Sequence, residues 1–235
     1  MPDKHVVKVK VTGDFACFTR PELKVERMSY PCMTPSAARG ILDSILWKPE
    51  FKWFIRRILV LNPVKFFSIK RNELDKIIPS RGLSPIIIED NRAQRNSLIL
   101  RDVAYVIEAS VHLDAPSQTN PPVKYIEMFN RRVKKGQCWR RPYFGCREFS
   151  ADFMPAFDSD QPIAEDIPIG GMLLDIFYDN KGNPEPLFFN AAIRNGILSC
   201  ENDYEKMMNS SHFSKQLDLI TQSCLYSLTQ QEELL

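Results

Sequence analysis

Two adjacent residues, Lys124 and Tyr125, supply a cation and a phenol at one point of the chain. Strand scission of RNA without a metal needs a base for the ribose 2′-OH, a cation for the extra charge of the phosphorane, and an acid for the leaving 5′-oxygen. Lysine and tyrosine can share those tasks, and neighbouring helical positions point about 100° apart, so both serve one site only at a helix end. The same tyrosine also falls on an apolar stripe with Met128 and Phe129, and that pattern fits packing equally well. The residues that follow carry Arg131, Arg132, Lys134, Lys135, Arg140, Arg141 and Arg147 against the single acid Glu127, with Trp139, Tyr143 and Phe144 interleaved. Cations neutralise phosphates and flat rings stack unpaired bases, so 124–147 reads as an RNA-binding segment. A solvated helix face, or an acidic protein partner, is the plainer alternative for such a run. Further basic candidates are Arg20, Lys24, Arg27 and Lys48.

Other chemistries lack support. No HxH or HExxH spacing occurs, and His5, His112 and His212 share no motif. Asp158-Ser159-Asp160 reads as a solvated turn, and no Gly-rich phosphate loop is present. None of the 6 cysteines forms a CxxC pair, so neither zinc nor a disulfide framework is expected, and no metal or cofactor is assigned.

The elements that must position these groups follow from periodicity. Residues 5–12 alternate, with Val7, Val9 and Val11 on one face, and predict a strand. A loop spans 13–33. Thr34-Pro35 then opens a helix whose stripe is Ala37, Ala38, Ile41, Leu42, Ile45 and Leu46. Residues 53–61 and 64–69 predict two strands or one broken strand. A loop follows over 71–97, then a strand over 98–113 and a linker over 116–122. A helix is expected over 123–135, stopped by Gly136, and a strand over 143–149. The order β-α-β-β-α-β predicts an α+β, ferredoxin-like fold of the RNA-recognition type over 1–149. A smaller antiparallel β unit with a tail is expected over 150–235, from strands at 170–178, 186–193 and 197–200 and an Asn195-Gly196 turn.

Charge divides along the same line. Residues 148–235 hold 15 acidic and 4 basic residues, a net of −11, whereas 1–147 hold 27 basic and 14 acidic, a net of +13. The first part suits a polyanion; the second suits a protein partner. The start of the chain is too polar for a signal peptide and no apolar run is long enough to span a bilayer, which points to the cytoplasm.

Three blocks, GDFACFTRPELKVERMSYPCMTPSAARGILDSILWKP (13–49), LILRDVAYVIEA (98–109) and KYIEMFNRRVKKGQCWRRPYFGCREF (124–149), resemble the CRISPR-associated Cas-five family, Dvulg subtype, of the RAMP superfamily. The resemblance runs from residue 5 to about 200. It implies metal-independent cutting of precursor CRISPR RNA at the base of the repeat hairpin, leaving a 2′,3′-cyclic phosphate and a 5′-hydroxyl. It further implies continued hold on the 5′ handle within the type I-C Cascade complex, beside backbone and large subunits, and a monomer when isolated. The family's site resembles a tyrosine in the first helix and a Lys-His pair opening the second. Lys124 matches the lysine, whereas Leu46 and Tyr125 stand at the other two positions. A handle-binding scaffold without cutting, and a DNA-directed nuclease, remain as competing readings.

Overall fold

The computed structural model describes residues 6–76, 87–113, 121–178 and 183–208. The expected tail at 210–235 lies outside them. Eight strands and three helices are described: β1 Val6–Ala16, α1 Pro35–Ile45, β2 Phe51–Val60, β3 Phe66–Leu74, β4 Arg92–Leu113, α2 Pro122–Lys134, β5 Asp152–Pro155, β6 Ile167–Tyr178, β7 Pro184–Arg194, β8 Ile197–Ser199 and α3 Glu201–Met208. All strands belong to one sheet of order β5-β1-β4-β2-β8-β7-β6, with β3 paired to β4 off that path. Every ladder in it is antiparallel. The α+β expectation holds.

Alternation explains the first strands. Val7, Val9 and Val11 are buried while Lys8 is exposed, so β1 turns one face inward. In β2, Phe51, Trp53 and Ile55 are buried, and the phase then jumps to Ile58 and Val60. A bulge between Ile55 and Arg57 accounts for the jump, because one extra residue restores the inward face. The same core takes Val103, Tyr105, Ile107 and Ala109 of β4, Ile41, Leu42 and Ile45 of α1, and Phe129 and Val133 of α2. Each fully buried side chain of this size contributes about 1.5–3 kcal/mol. On the even-numbered face of β4, Glu108 is 4% exposed and sits between Lys8, at 2.8 Å, and Arg57. Those two cations outweigh the desolvation that opposes them and hold its carboxyl below the usual range.

Two expectations are corrected. The loop expected over 71–97 is strand at both ends: β3 runs to Leu74 and β4 begins at Arg92, paired from Phe66↔Leu100 to Leu74↔Arg92, while 77–86 lie outside the described residues. Polar side chains concealed this, since β3 is mostly exposed and has no buried face to impose a period. The strand expected over 143–149 is absent. That segment is a set of turns carrying one isolated bridge, Tyr143↔Ser150, and the returning strand is β5, which pairs with β1. Gly145 breaks the extension. It has φ +79°, and a Cβ there would lie 2.0 Å from the Cys17 carbonyl oxygen, so only glycine lets this turn approach the end of β1. The turn is secured by Cys17 N donating to Phe144 O at 3.1 Å and Phe144 N donating to Phe149 O at 2.8 Å.

The acidic part continues the same sheet through β8, which pairs with β2. Asn195 and Gly196, at φ 47° and 73°, form the expected tight turn between β7 and β8. Arg39 of α1 ties β6 down, donating from Nε to both Asp175 oxygens at 2.9 and 3.0 Å, and from Nη1 to Asp43 at 3.2 Å.

Candidate nucleic-acid interface

The ends of the two helices build the site. Thr34 caps α1, its hydroxyl accepting from Ala37 N at 3.2 Å, and Pro35 occupies the first helical position. At the other end, Leu46 leaves the helix at φ −146°. Three of the carbonyls stranded there find partners outside the helix. Ser44 O accepts from Trp139 N at 2.8 Å, Ile45 O from Arg132 Nη1 at 2.6 Å, and Leu46 O from Trp53 Nε1 at 3.0 Å. Two of those three donors come from α2 and the loop behind it, so the end of α1 is locked to the basic segment.

Helix α2 ends in a Schellman turn. Gly136, at φ 62°, donates to Val133 O at 3.2 Å, and Gln137 N donates to Arg132 O at 2.9 Å. The turn throws residues 137–141 back across the end of α1. Along α2, Tyr125, Ile126, Phe129 and Val133 face the core. Lys124, Arg131 and Lys135 are exposed and fall within about 20° of one line at 100° per residue, so they form a single cationic ridge. Arg131, Arg132 and Lys134 also sit in the last turn, where cations suit the helix dipole.

The structure thus brings together one group of the expected residues: Lys124, Arg131, Arg132, Lys134, Lys135, Trp139 and Arg140, with Lys48 opposite. Lys48, Arg132, Trp139 and Arg140 line a cleft of about 580 Å³ with Trp47 and Asp43. Neither Trp47 nor Asp43 is among the residues that charge and spacing single out. A large aromatic residue directly after the buried stripe of α1, and before Lys48-Pro49, was the available signal.

A second group lies around the loop after β1. Arg20 covers the Tyr30 ring at 4.6 Å and contacts Glu22 at 3.5 Å. Lys24 is exposed at the end of a short 3-10 turn. Arg27 donates from Nη1 to Cys146 Sγ at 3.2 Å and faces Glu73 at 3.8 Å. Arg141 binds Asp152 at 2.5 Å, and Arg147 is exposed on the 143–150 turn. Arg20, Arg27 and Arg141 therefore hold the fold as well as offering charge.

Tyr125 is 1% exposed, its ring 4.7 Å from Phe51 and its hydroxyl without a hydrogen-bond partner. The Lys124 ammonium lies 5.6 Å from the centre of that ring. Burial, with a smaller contribution from Glu50, pushes the phenol above its ordinary pKa, so it stays protonated at neutral pH. An orphaned, protonated hydroxyl is suited to donate a proton and unsuited to remove one. Leu46, at the other position implied by the resemblance, is fully buried.

Comparison with known proteins places the chain in a family. A family model described as CRISPR-associated protein (Cas_Cas5), in its Cas_Cas5d form, matches residues 6–200. A Thermus thermophilus protein named CRISPR pre-crRNA endoribonuclease Cas5d is 47% identical over 210 residues, covering 82% of this chain and 90% of that protein. A Mannheimia succiniciproducens protein of the same name is 42% identical over 211 residues, covering 82% and 93%. Among solved structures, one described as a CRISPR-associated protein aligns with a TM-score of 0.60 at 22% identity, covering 83% of this chain and 90% of its own. A functionally uncharacterised Streptococcus mutans protein aligns at 0.59 and 21%, covering 83% and 91%. These two likenesses speak to the fold alone.

Proposed function

Because the chain belongs to the Cas_Cas5d family of CRISPR-associated proteins, we propose that it is a metal-independent endoribonuclease that cuts precursor CRISPR RNA at the base of the repeat hairpin and keeps the product bound. The observation that carries this reading is the ridge of Lys124, Arg131 and Lys135, with Lys124 at the exposed start of a cationic track. In the reaction the 2′-oxygen attacks phosphorus, the P–O5′ bond breaks, one proton passes from the 2′-OH to solvent water, and one arrives on the 5′-oxygen from the Tyr125 phenol. The Lys124 ammonium stabilises the charge that builds on the non-bridging oxygens. Tyr125 assists proton transfer as the acid. Arg131, Arg132, Arg140, Arg141 and Arg147 grip the repeat.

The strand order β5-β1-β4-β2, with α1 and α2 packed on the same core, supports a ferredoxin-like reading of the first part, extended by a smaller β unit. The acidic second part is suited to a protein neighbour, such as another subunit of a surveillance complex. No described helix is long and apolar enough to cross a membrane, in keeping with action in the cytoplasm. A specific observation favours a second reading, a handle-binding scaffold: both Leu46 and Tyr125 are buried, so neither of those positions presents an exposed side chain to RNA.

End-labelled repeat RNA, with EDTA present, separates them. The enzyme reading expects one discrete cut that Lys124→Ala abolishes while binding survives. Intact RNA bound equally by both proteins would establish the scaffold.

A further inference from the structure

The two exposed tryptophans of the interface have no role in the chemistry above. Trp47 is 60% exposed and Trp139 82% exposed, and neither ring stacks on another among the described residues. An indole buries roughly 150–250 Å² when it finds a surface, so two of them left bare beside one cleft are poised for a flat partner. They are not loose. The Trp139 main chain is fixed to Ser44 O at 2.8 Å, and Trp47 follows Leu46, whose carbonyl is held by Trp53 Nε1 at 3.0 Å. The rest of the lining is Lys48, Arg132 and Arg140 with one acid, Asp43. Three cations around two ring faces select a polyanion that carries planar groups, which describes a nucleic acid and excludes a cationic or purely apolar ligand. Stacking on a side chain needs a base released from pairing. Arg132 follows Lys124 by eight residues on α2, about 12 Å of helix rise, so a single strand can lie in both places at once.

We propose that the Trp47–Trp139 cleft is the seat of one unpaired nucleobase of the bound RNA, with Lys48, Arg132 and Arg140 holding its flanking phosphates and Asp43 reading its edge. The inference rests on the RNA-processing reading above and adds a specificity determinant to it. Asp43 accepts from Arg39 Nη1 through Oδ2 at 3.2 Å, and its Oδ1 has no partner among the described residues. A carboxylate only accepts, so an amino-bearing edge (adenine, cytosine or guanine) is preferred over uracil, whose one N3–H donor is flanked by two carbonyl oxygens that repel the carboxylate.

The test uses the full chain with RNA carrying the repeat of its own array, made with an abasic residue at each unpaired position in turn. Trp47→Ala and Trp139→Ala each weaken binding by roughly 5- to 150-fold, the range of one stacked base, and Trp139→Phe recovers most of the loss. One abasic position produces the same loss in the wild type and no further loss in Trp139→Ala, and uridine at that position binds more weakly than the other bases. Both alanine variants keep the fold, since their rings are exposed. Wild-type binding and cutting by both would overturn the cleft while leaving the processing activity standing. So would normal RNA binding with loss of a neighbouring subunit, which would make the cleft a protein dock. Uridine bound as well as the other bases would remove Asp43 from the assignment. A wild-type protein that neither binds nor cuts the repeat would overturn the processing reading, and the cleft with it.

Discussion

Replacing Tyr125 by Phe removes one oxygen and keeps the ring that packs 4.7 Å from Phe51. That oxygen is buried and has no hydrogen-bond partner, so the folded state bears its desolvation without compensation. An unsatisfied buried hydroxyl of this kind destabilises by about 1–3 kcal/mol. For a chain of this size each kcal/mol moves the melting temperature by about 2–4 °C, so Tyr125→Phe melts roughly 2–12 °C higher than the wild type. If the same hydroxyl delivers a proton to the leaving 5′-oxygen, the variant also cuts more slowly, by about 10²- to 10⁴-fold under single-turnover conditions with enzyme in excess. Gain of stability with loss of rate is the signature of a group retained for function against the interest of the fold. Thermal unfolding and single-turnover cleavage of end-labelled repeat RNA, on the same preparations, give the two numbers. A melting temperature unchanged or lowered would refute the reasoning about the orphaned hydroxyl. A higher melting temperature with an unchanged rate would leave Tyr125 as a packing residue and require another proton donor.

Arg131→Ala is expected to lower the slope of log K against log salt by about 1, because one exposed phosphate contact is lost from the α2 ridge; filter binding between 50 and 200 mM salt measures it. Gly145→Ala is expected to destabilise by about 3 kcal/mol or more in urea unfolding, since a Cβ would meet the Cys17 carbonyl at 2.0 Å in a backbone of φ +79°. Asp43 supplies a pH dependence. Burial raises its carboxyl to about 6, Arg39 only partly opposing. Because the folded value lies above the unfolded one, the proton is held more tightly in the fold. Stability relative to Asp43→Asn is therefore greatest below pH 4 and declines as pH rises through 6, by up to about 3 kcal/mol. Urea midpoints at pH 4.5 and 7.5 would show the gap narrowing, and a constant gap would contradict it.

Much of the frame was legible in the chain because burial imposes a period. The valines of β1, the capped stripe of α1 and the apolar face of α2 each announce their element through side chains that must leave water together. Where no face is buried that signal disappears, and the end of β3 with the start of β4 reads as loop although both are paired. The 143–149 segment misleads for the opposite reason. Tyr143, Phe144 and Phe149 suit a strand, but a tertiary approach to Cys17 that only Gly145 permits turns them into a bend.

The basic character of 124–147, its helix, its glycine stop and its family blocks are properties of sequence alone, because local periodicity, charge and turn chemistry act over a few residues. Which cations share a surface was decided by the tertiary structure. Arg20 and Arg27 are drawn to Tyr30 and Cys146, while Arg132 reaches Ile45 O and closes α2 onto α1. Trp47 and Trp139 stand 92 residues apart in the chain. They line one cleft because stranded carbonyls at the end of a helix had to be satisfied, and the donors that satisfy them come from a distant loop.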